Sequence, residues 1–278
     1  MTHSLYIVPT PLGNLEDITL RALRILREVR LIAAEDTRTT RKLLDRYEIT
    51  TPLTAYHEHN KLTKLDALFE TLTDGDIALV SDAGTPGISD PGYELIREAL
   101  ARGVNVVPLP GASAVITALV GSGLPTDGFV YIGFLPRKDK ALRECFTALA
   151  EERRTVIAYE SPNRLVETLA TLQSVLGNRQ VVVARELTKL YEEFQRGTVS
   201  DVLAHFTTHE PRGEITLVIA GAADAQAEQA TWDEAAVLAA LDEQLTQGIP
   251  RKEAAKAIAL RSGWDRREVY RLSLNLPS

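Results

Sequence analysis

Asp76–Gly92 reads DIALVSDAGTPGISDPG, an unbroken apolar run that ends in a loop made largely of Gly, Pro, Ser and Asp. The run Asp76–Ser81 shows no polar alternation, so as a strand it must be covered on both faces, the pattern of a sheet flanked by helices. In open α/β sheets ligands bind where strands end. Gly and Pro hold irregular backbone there, and small side chains leave space for a ligand to approach the main chain.

The same arrangement recurs outward in both directions. Leu5–Pro9 runs into Pro9-Thr10-Pro11-Leu12-Gly13-Asn14, and Val104–Leu109 runs into a loop ending Pro110-Gly111-Ala112-Ser113-Ala114. Further strands are expected at Val29–Ala34, Phe129–Phe134, Thr155–Tyr159, Gln180–Ala184 and Glu214–Ala220. Between them lie segments with helical spacing, such as Leu20, Leu23, Ile25 and Leu26, or Leu62, Leu65, Leu68 and Leu72. Strand and helix alternation over most of the chain predicts an α/β protein. Breaks at Gly121–Gly128 (GSGLPTDG) and Gly221–Thr231 (GAADAQAEQAT) divide it into an N-terminal α/β domain (1–122), a second α/β domain (123–222) and a helical C-terminal extension (223–278). The extension reads as helices at 232–247, 250–261 and 265–275. The last two join through Ser262-Gly263 in a helix-turn-helix-like pair, with Arg266, Arg267 and Arg271 on the second.

Composition sets outer limits. The 278 residues are 45% hydrophobic and 25% charged, as in an ordinary globular chain, and the single cysteine, Cys145, excludes an internal disulfide. No segment is apolar enough to span a bilayer and the first residues do not read as a signal peptide, so a cytoplasmic protein without a membrane partner is expected. The net charge of −7 conceals a C-terminal stretch, residues 251–278, with seven Lys/Arg against three Asp/Glu. Local patches rather than the total steer a polyanion, so nucleic acid stays open as a partner. No G-x-G-x-x-G enters a helix and no P-loop is found, which argues against a ligand held by its phosphates. A nucleoside-bearing cofactor such as S-adenosylmethionine suits the three loops instead. His57 and His59 would share a strand face with Glu58 turned away and no third ligand at matching spacing, so no metal site is expected.

Several segments together carry a specific resemblance: Pro9–Asn14, Ala34-Glu35-Asp36-Thr37-Arg38, Tyr56-His57-Glu58-His59-Asn60, Ser81–Gly92, Pro110–Ala114, Tyr159–Asn163 and Ala184-Arg185-Glu186-Leu187-Thr188-Lys189. From about residue 4 to 221 the chain resembles the ribosomal RNA small-subunit methyltransferase I family, of the tetrapyrrole-methylase fold (class III methyltransferases). That resemblance implies two α/β domains of this type with S-adenosylmethionine in the cleft between them. It also implies a homodimer and 2′-O-methylation of a cytidine ribose in the decoding region of 16S rRNA, within the 30S subunit. Carried over residue by residue, it implies cofactor contacts from Pro11, Leu12, Asp82, Ala83, Gly84, Thr85, Ile88, Ser113 and Ala114, with Phe134, Leu135 and Thr216 closing from the second domain.

Methyl transfer to a ribose hydroxyl needs a base beside the attacking oxygen. Glu58, His57, Glu186 and Asp36 are candidates from their positions after strands or in polar loops; Lys189 would serve if its pKa were depressed, or would hold phosphate. For RNA, Arg38, Arg41, Lys42, His59, Arg137, Lys138, Arg164 and Arg185 are the candidate contacts. Tyr56 and Tyr159 are candidate stacking platforms for an unpaired base.

Overall fold

The structure, a computed structural model, describes residues 3–57, 61–222 and 232–276. It divides into two compact units, 1–221 and 222–278. The first unit contains two five-stranded sheets.

The first sheet is built from β1 (Ser4–Ile7), α1 (Leu20–Glu28), β2 (Leu31–Ala34), α2 (Thr37–Arg46), β3 (Leu53–Ala55), α3 (Lys61–Asp74), β4 (Ile77–Val80), α4 (Tyr93–Ala101) and β5 (Asn105–Pro108). Its order is β3-β2-β4-β1-β5 and every pairing is parallel. The apolar run of β4 is buried along its whole length, as a doubly covered strand requires. On one face Leu23, Leu26, Leu43 and Leu44 pack against Ile32 and Ala78; on the other Leu68, Leu72 and Leu95 pack against Leu5 and Leu79. Side-chain oxygens of Thr19 and Asp36 cap α1 and α2, so the chain enters each helix with first-turn N–H groups partnered.

Helix α5 (Ala114–Ser122) follows, and then the second sheet: β6 (Phe129–Phe134), α6 (Asp139–Ala148), β7 (Thr155–Glu160), α7 (Leu165–Leu176), β8 (Gln180–Arg185), β9 (Glu193–Thr198), α8 (Val199–Thr208) and β10 (Ile215–Ile219). Its order is β6-β7-β10-β8-β9; only β6 and β7 run parallel. Helices α6, α7 and α8 cover one face, while Val115, Ala118 and Leu119 of α5 cover the other against Ile157, Val182 and Val218. Phe146 of α6 is fully buried in the larger of these layers. Phe146→Ala should lower the unfolding free energy of this unit by about 3–5 kcal/mol, read as a shift of the urea midpoint, with Phe146→Leu losing much less.

The second unit holds α9 (Glu234–Thr246), α10 (Arg251–Ser262) and α11 (Arg266–Ser273) around Val237, Leu241, Ile258, Val269 and Leu272. Pro250 is the residue preceding α10, Gly263 ends that helix in the left-handed conformation, and Asp265 caps α11 by accepting from Arg267 N and Glu268 N. No described helix is long and apolar enough to cross a membrane.

Two strands depart from the expected set. Both β3, three residues long, and β9, with sequence EFQRGT, lie at sheet edges. An edge strand pairs on one side only and can do without a continuous apolar run; β3 is too short for one and β9 is largely polar, whereas the edge strands β5 and β6 carry one and were read from it.

Candidate active site

Because the first sheet is parallel, the loops after β1, β4 and β5 emerge at one edge, where β1 lies between the other two strands. They are stitched together. Thr10 and Gly84 exchange both backbone hydrogen bonds at 2.9 Å, the Thr10 hydroxyl donates to Ser81 O, and the Thr85 hydroxyl donates to Ala112 O at 3.0 Å. Gly84 has φ +76°, a left-handed conformation open to glycine at no steric cost, and a Cβ there would already touch Leu12 at 3.4 Å.

These loops wall a cavity of about 370 Å³, closed on its other sides by the ends of β6, β7 and β10. Leu12, Asp82, Ala83, Gly84, Thr85, Ile88, Ser113, Ala114, Phe134 and Thr216 all line it. Two residues expected with them do not. Pro11 lines a smaller neighbouring recess, and Leu135 is buried in the hydrophobic core. Phe134, 64% exposed, stands edge-on to Tyr159 with ring centroids 5.3 Å apart, and Tyr159 meets Tyr131 in the same way. Tyr131 in turn shares a 2.6 Å hydrogen bond with Ser89, joining the second sheet to the Ser81–Gly92 loop.

The cavity wall is acidic. Burial pushes the Asp90 carboxyl up to about 7, and the charge of Glu35 adds to the effect. Burial also raises Glu35 and Asp82, against the lowering hydrogen bonds that each accepts from backbone N–H groups. Asp82 accepts from Asp36 N at 3.0 Å, and its own N–H donates to Glu35 at 3.3 Å. Glu35, Asp90, Glu160 and Glu214 were not among the residues singled out from sequence, although Glu35, Asp90 and Glu160 sit inside segments that were. Glu160 is buried and satisfied: it accepts from the Thr168 hydroxyl at 2.6 Å and lies 3.1 Å from Arg164.

The candidate bases separate clearly. Glu58 lies outside the described residues, as does His59. His57 follows β3 and is not among the cavity-lining residues. Asp36 is held down to about 2 by its hydrogen bonds from Arg38. Glu186 is lowered chiefly by its hydrogen bond from Lys189 (2.9 Å). Burial works to lower Lys189, but its bonds to Glu186 and Glu214 outweigh it and raise the ammonium. A depressed carboxylate and a stabilised ammonium make a weak pair of bases. Geometry gives them a different task. Glu186 and Thr188 both have positive φ (+50° and +63°), and Thr188 accepts the N–H of Asn14 at 3.1 Å. The Lys189 stem lies where a Cβ on Gly13 would be, 2.2 Å from its Cγ. The strained turn thus fastens the second sheet onto the first loop.

Among the candidate RNA contacts, Arg164 donates to the carbonyls of Leu135 and Pro136 and braces the segment carrying Phe134, and Arg185 is paired with Glu193. Arg38, Arg41 and Lys42 lie exposed on α2, and Arg137 and Lys138 precede α6. Tyr56 is fully buried in the core of the first sheet, which removes it as a stacking platform; Tyr159 lines the cavity.

Residues 4–203 match the family of tetrapyrrole (corrin/porphyrin) methylases. The chain is 46% identical over 271 residues to ribosomal RNA small subunit methyltransferase I of Halalkalibacterium halodurans, covering 97% of this chain and 94% of that one. It is 47% identical over 274 residues to the protein of the same name from Synechocystis sp., covering 98% of each. Among solved structures, uroporphyrin-III C-methyltransferase from Thermus thermophilus, complexed with S-adenosylhomocysteine, superposes with TM-score 0.55 over 77% of this chain and 96% of that one. At 17% identity that last likeness is one of fold.

Proposed function

The chain belongs to the ribosomal RNA small subunit methyltransferase I family, within the tetrapyrrole methylases, and from that premise we propose that it methylates the ribose 2′-oxygen of a cytidine in the decoding region of 16S rRNA, with S-adenosylmethionine as donor. The observation that carries this reading is the acidic cavity at the strand ends, on a chain almost half identical to relatives bearing that name.

The residues present fit the donor. A cradle left open by Gly84, carboxylates at Glu35, Asp82, Asp90 and Glu214, and a wall of Phe134 and Tyr159 suit a cationic, nucleoside-bearing molecule better than a phosphate ester. Main-chain groups of Ala83–Thr85 and the side chain of Thr216 would hold its polar edges. The N-terminus of α5 at Ser113-Ala114 would face its carboxylate. When bound, S-adenosylmethionine supplies an electrophilic methyl group on a sulfonium whose charge is lost as that methyl moves.

The protein's own work is orientation and proton removal. A 2′-hydroxyl is a poor nucleophile, so it must be held in line and deprotonated as it attacks. Among the described carboxylates that line the cavity, Asp90, pushed up to about 7 by burial, is assigned the base and takes that proton. Arg38, Arg41 and Lys42 on one side and Arg137 and Lys138 on the other hold backbone phosphates. The same reading makes the 30S subunit the substrate and a homodimer the active form. Exposed apolar side chains at Ile116, Val120, Leu190 and Tyr191 supply surface for a second copy.

Transfer of tritiated methyl from S-adenosylmethionine to unmodified 30S subunits and to naked 16S rRNA, followed by nuclease mapping, tests the reading. Alkali-resistant label at one cytidine is the expected product. Intact cofactor binding without label on either RNA overturns it in favour of an RNA-binding factor.

A further inference from the structure

Beside the cofactor cavity lies a second recess of about 180 Å³, bounded by the Pro9–Asn14 loop and helix α2. Leu12 and Asp82 line both spaces, so a group seated in the recess is one side chain away from whatever fills the larger cavity. Its remaining walls combine apolar groups (Pro11, Leu15, Leu43) with Thr40 and Lys42.

Thr40 is the informative residue. It is 3% exposed, and its hydroxyl has no hydrogen-bond partner among the described residues. A threonine inside a helix has a ready partner in the carbonyl four residues back, and this chain uses that bond repeatedly. Thr71 donates to Ala67 O, Thr147 to Arg143 O, Thr207 to Leu203 O and Thr246 to Asp242 O, at 2.9, 2.8, 2.7 and 2.8 Å. For Thr40 the corresponding carbonyl, Asp36 O, receives the Thr40 N–H at 3.0 Å but not the hydroxyl. The Thr40 hydroxyl is thus a buried polar group without its local partner, on a residue that lines the recess. The recess also has a cation on its wall: of the basic residues exposed on α2, Lys42 lines it.

We propose that this recess is the acceptor subsite: it receives the sugar-phosphate unit of the nucleotide to be methylated, with the Thr40 hydroxyl bonded to the nucleotide's polar edge and Lys42 on its phosphate. The inference rests on the rRNA methyltransferase reading and adds to it where the RNA enters. An apolar floor suits the ribose face, the Lys42 cation suits the phosphate, and the shared Leu12–Asp82 wall directs the sugar hydroxyl toward the donor cavity.

The test uses the full chain with three variants: Thr40→Val, which keeps shape and removes the hydroxyl, Thr40→Ser, which restores a hydroxyl, and Lys42→Gln. Three quantities are read: KM for unmodified 30S subunits, Kd for S-adenosylmethionine, and melting temperature. Thr40→Val should raise KM for the subunits about tenfold or more, leave cofactor Kd within twofold, and melt at or above the parent temperature, since an unpartnered buried hydroxyl has been removed. Thr40→Ser should return KM to within about threefold of the parent. Lys42→Gln should raise KM and flatten its salt dependence. Unchanged KM in Thr40→Val overturns the proposal, as does a loss of cofactor affinity, which would make the recess part of the donor site. Filter binding of the same subunits separates this from the broader reading. If the parent binds them without methylating, the functional reading fails, while weaker binding by Thr40→Val still supports the recess as the RNA subsite.

Discussion

A Gly84→Trp chain is expected to bind S-adenosylmethionine at least a hundredfold more weakly than its parent while keeping the far-ultraviolet circular dichroism of an α/β protein. Two separate effects meet at this residue. Its φ of +76° charges any L-residue a strain of roughly 1–2 kcal/mol. Its Cβ direction leads to Leu12 and the carbonyl of Ala112, at 3.4 and 3.9 Å, beside the cavity that the donor is proposed to occupy. Gly84→Ala separates them. It carries the strain with little bulk, so it should lower stability by about 1 kcal/mol and weaken binding only a few-fold. The reciprocal Thr10–Gly84 hydrogen bonds are main-chain bonds and survive either change of side chain. Isothermal titration of the three proteins decides the matter. A tryptophan variant that binds as well as the parent would remove the cavity from consideration as the donor site.

The smaller effect of alanine also shows what sequence can and cannot convey about this site. Gly84 stood out because glycine, proline and small polar residues after an unbroken apolar run have few other uses, and the same logic marked the loops that hold Leu12 and Ser113, whereas Thr216 came from the family resemblance alone. Asp90 lies in the same loop and gave no such signal. Its character comes from burial and from Glu35 and Glu214, residues far away in the chain that the fold brings to the same cavity. Glu186 and Lys189 misled for the converse reason. Polar residues after a strand read as chemistry, but here they neutralise each other and hold a strained turn against Gly13. Arg164 and Tyr56 are the same lesson in packing, since a guanidinium that satisfies two carbonyls and a tyrosine with no exposed surface are indistinguishable in sequence from their exposed counterparts. Continuous apolar strands were legible because burial on both faces constrains composition. The edge strands β3, of three residues, and β9, with EFQRGT, escaped because neither carries such a run.

The second large effect is expected from Asp90→Asn, and its direction differs between rate and stability. In single turnover with saturating donor and 30S subunits, the methyl-transfer rate should fall by about 10²–10⁴-fold, the usual contribution of a positioned base. In the parent, kcat/KM should rise with pH through a limb near 7, the value to which burial and Glu35 push this carboxyl, and that limb should be missing from the variant. Stability moves the other way. The folded-state value lies above the ordinary 3.8, so between those two values the folded protein binds protons that the unfolded chain has released. Its stability therefore declines as pH rises through that window, and the cost is complete above 7. Asparagine never ionises, so at pH 8 the variant should be the more stable protein by about 1–2 kcal/mol, a linkage value discounted for the partial exposure of Asp90 to water. The difference should vanish below about pH 3, well under the ordinary 3.8, where folded and unfolded chains alike are uncharged at this position. Glu35 and Asp82, raised chiefly by burial as well, contribute in the same direction. A variant that loses donor affinity but keeps its single-turnover rate would make Asp90 the counter-charge of the sulfonium and leave another group to take the proton.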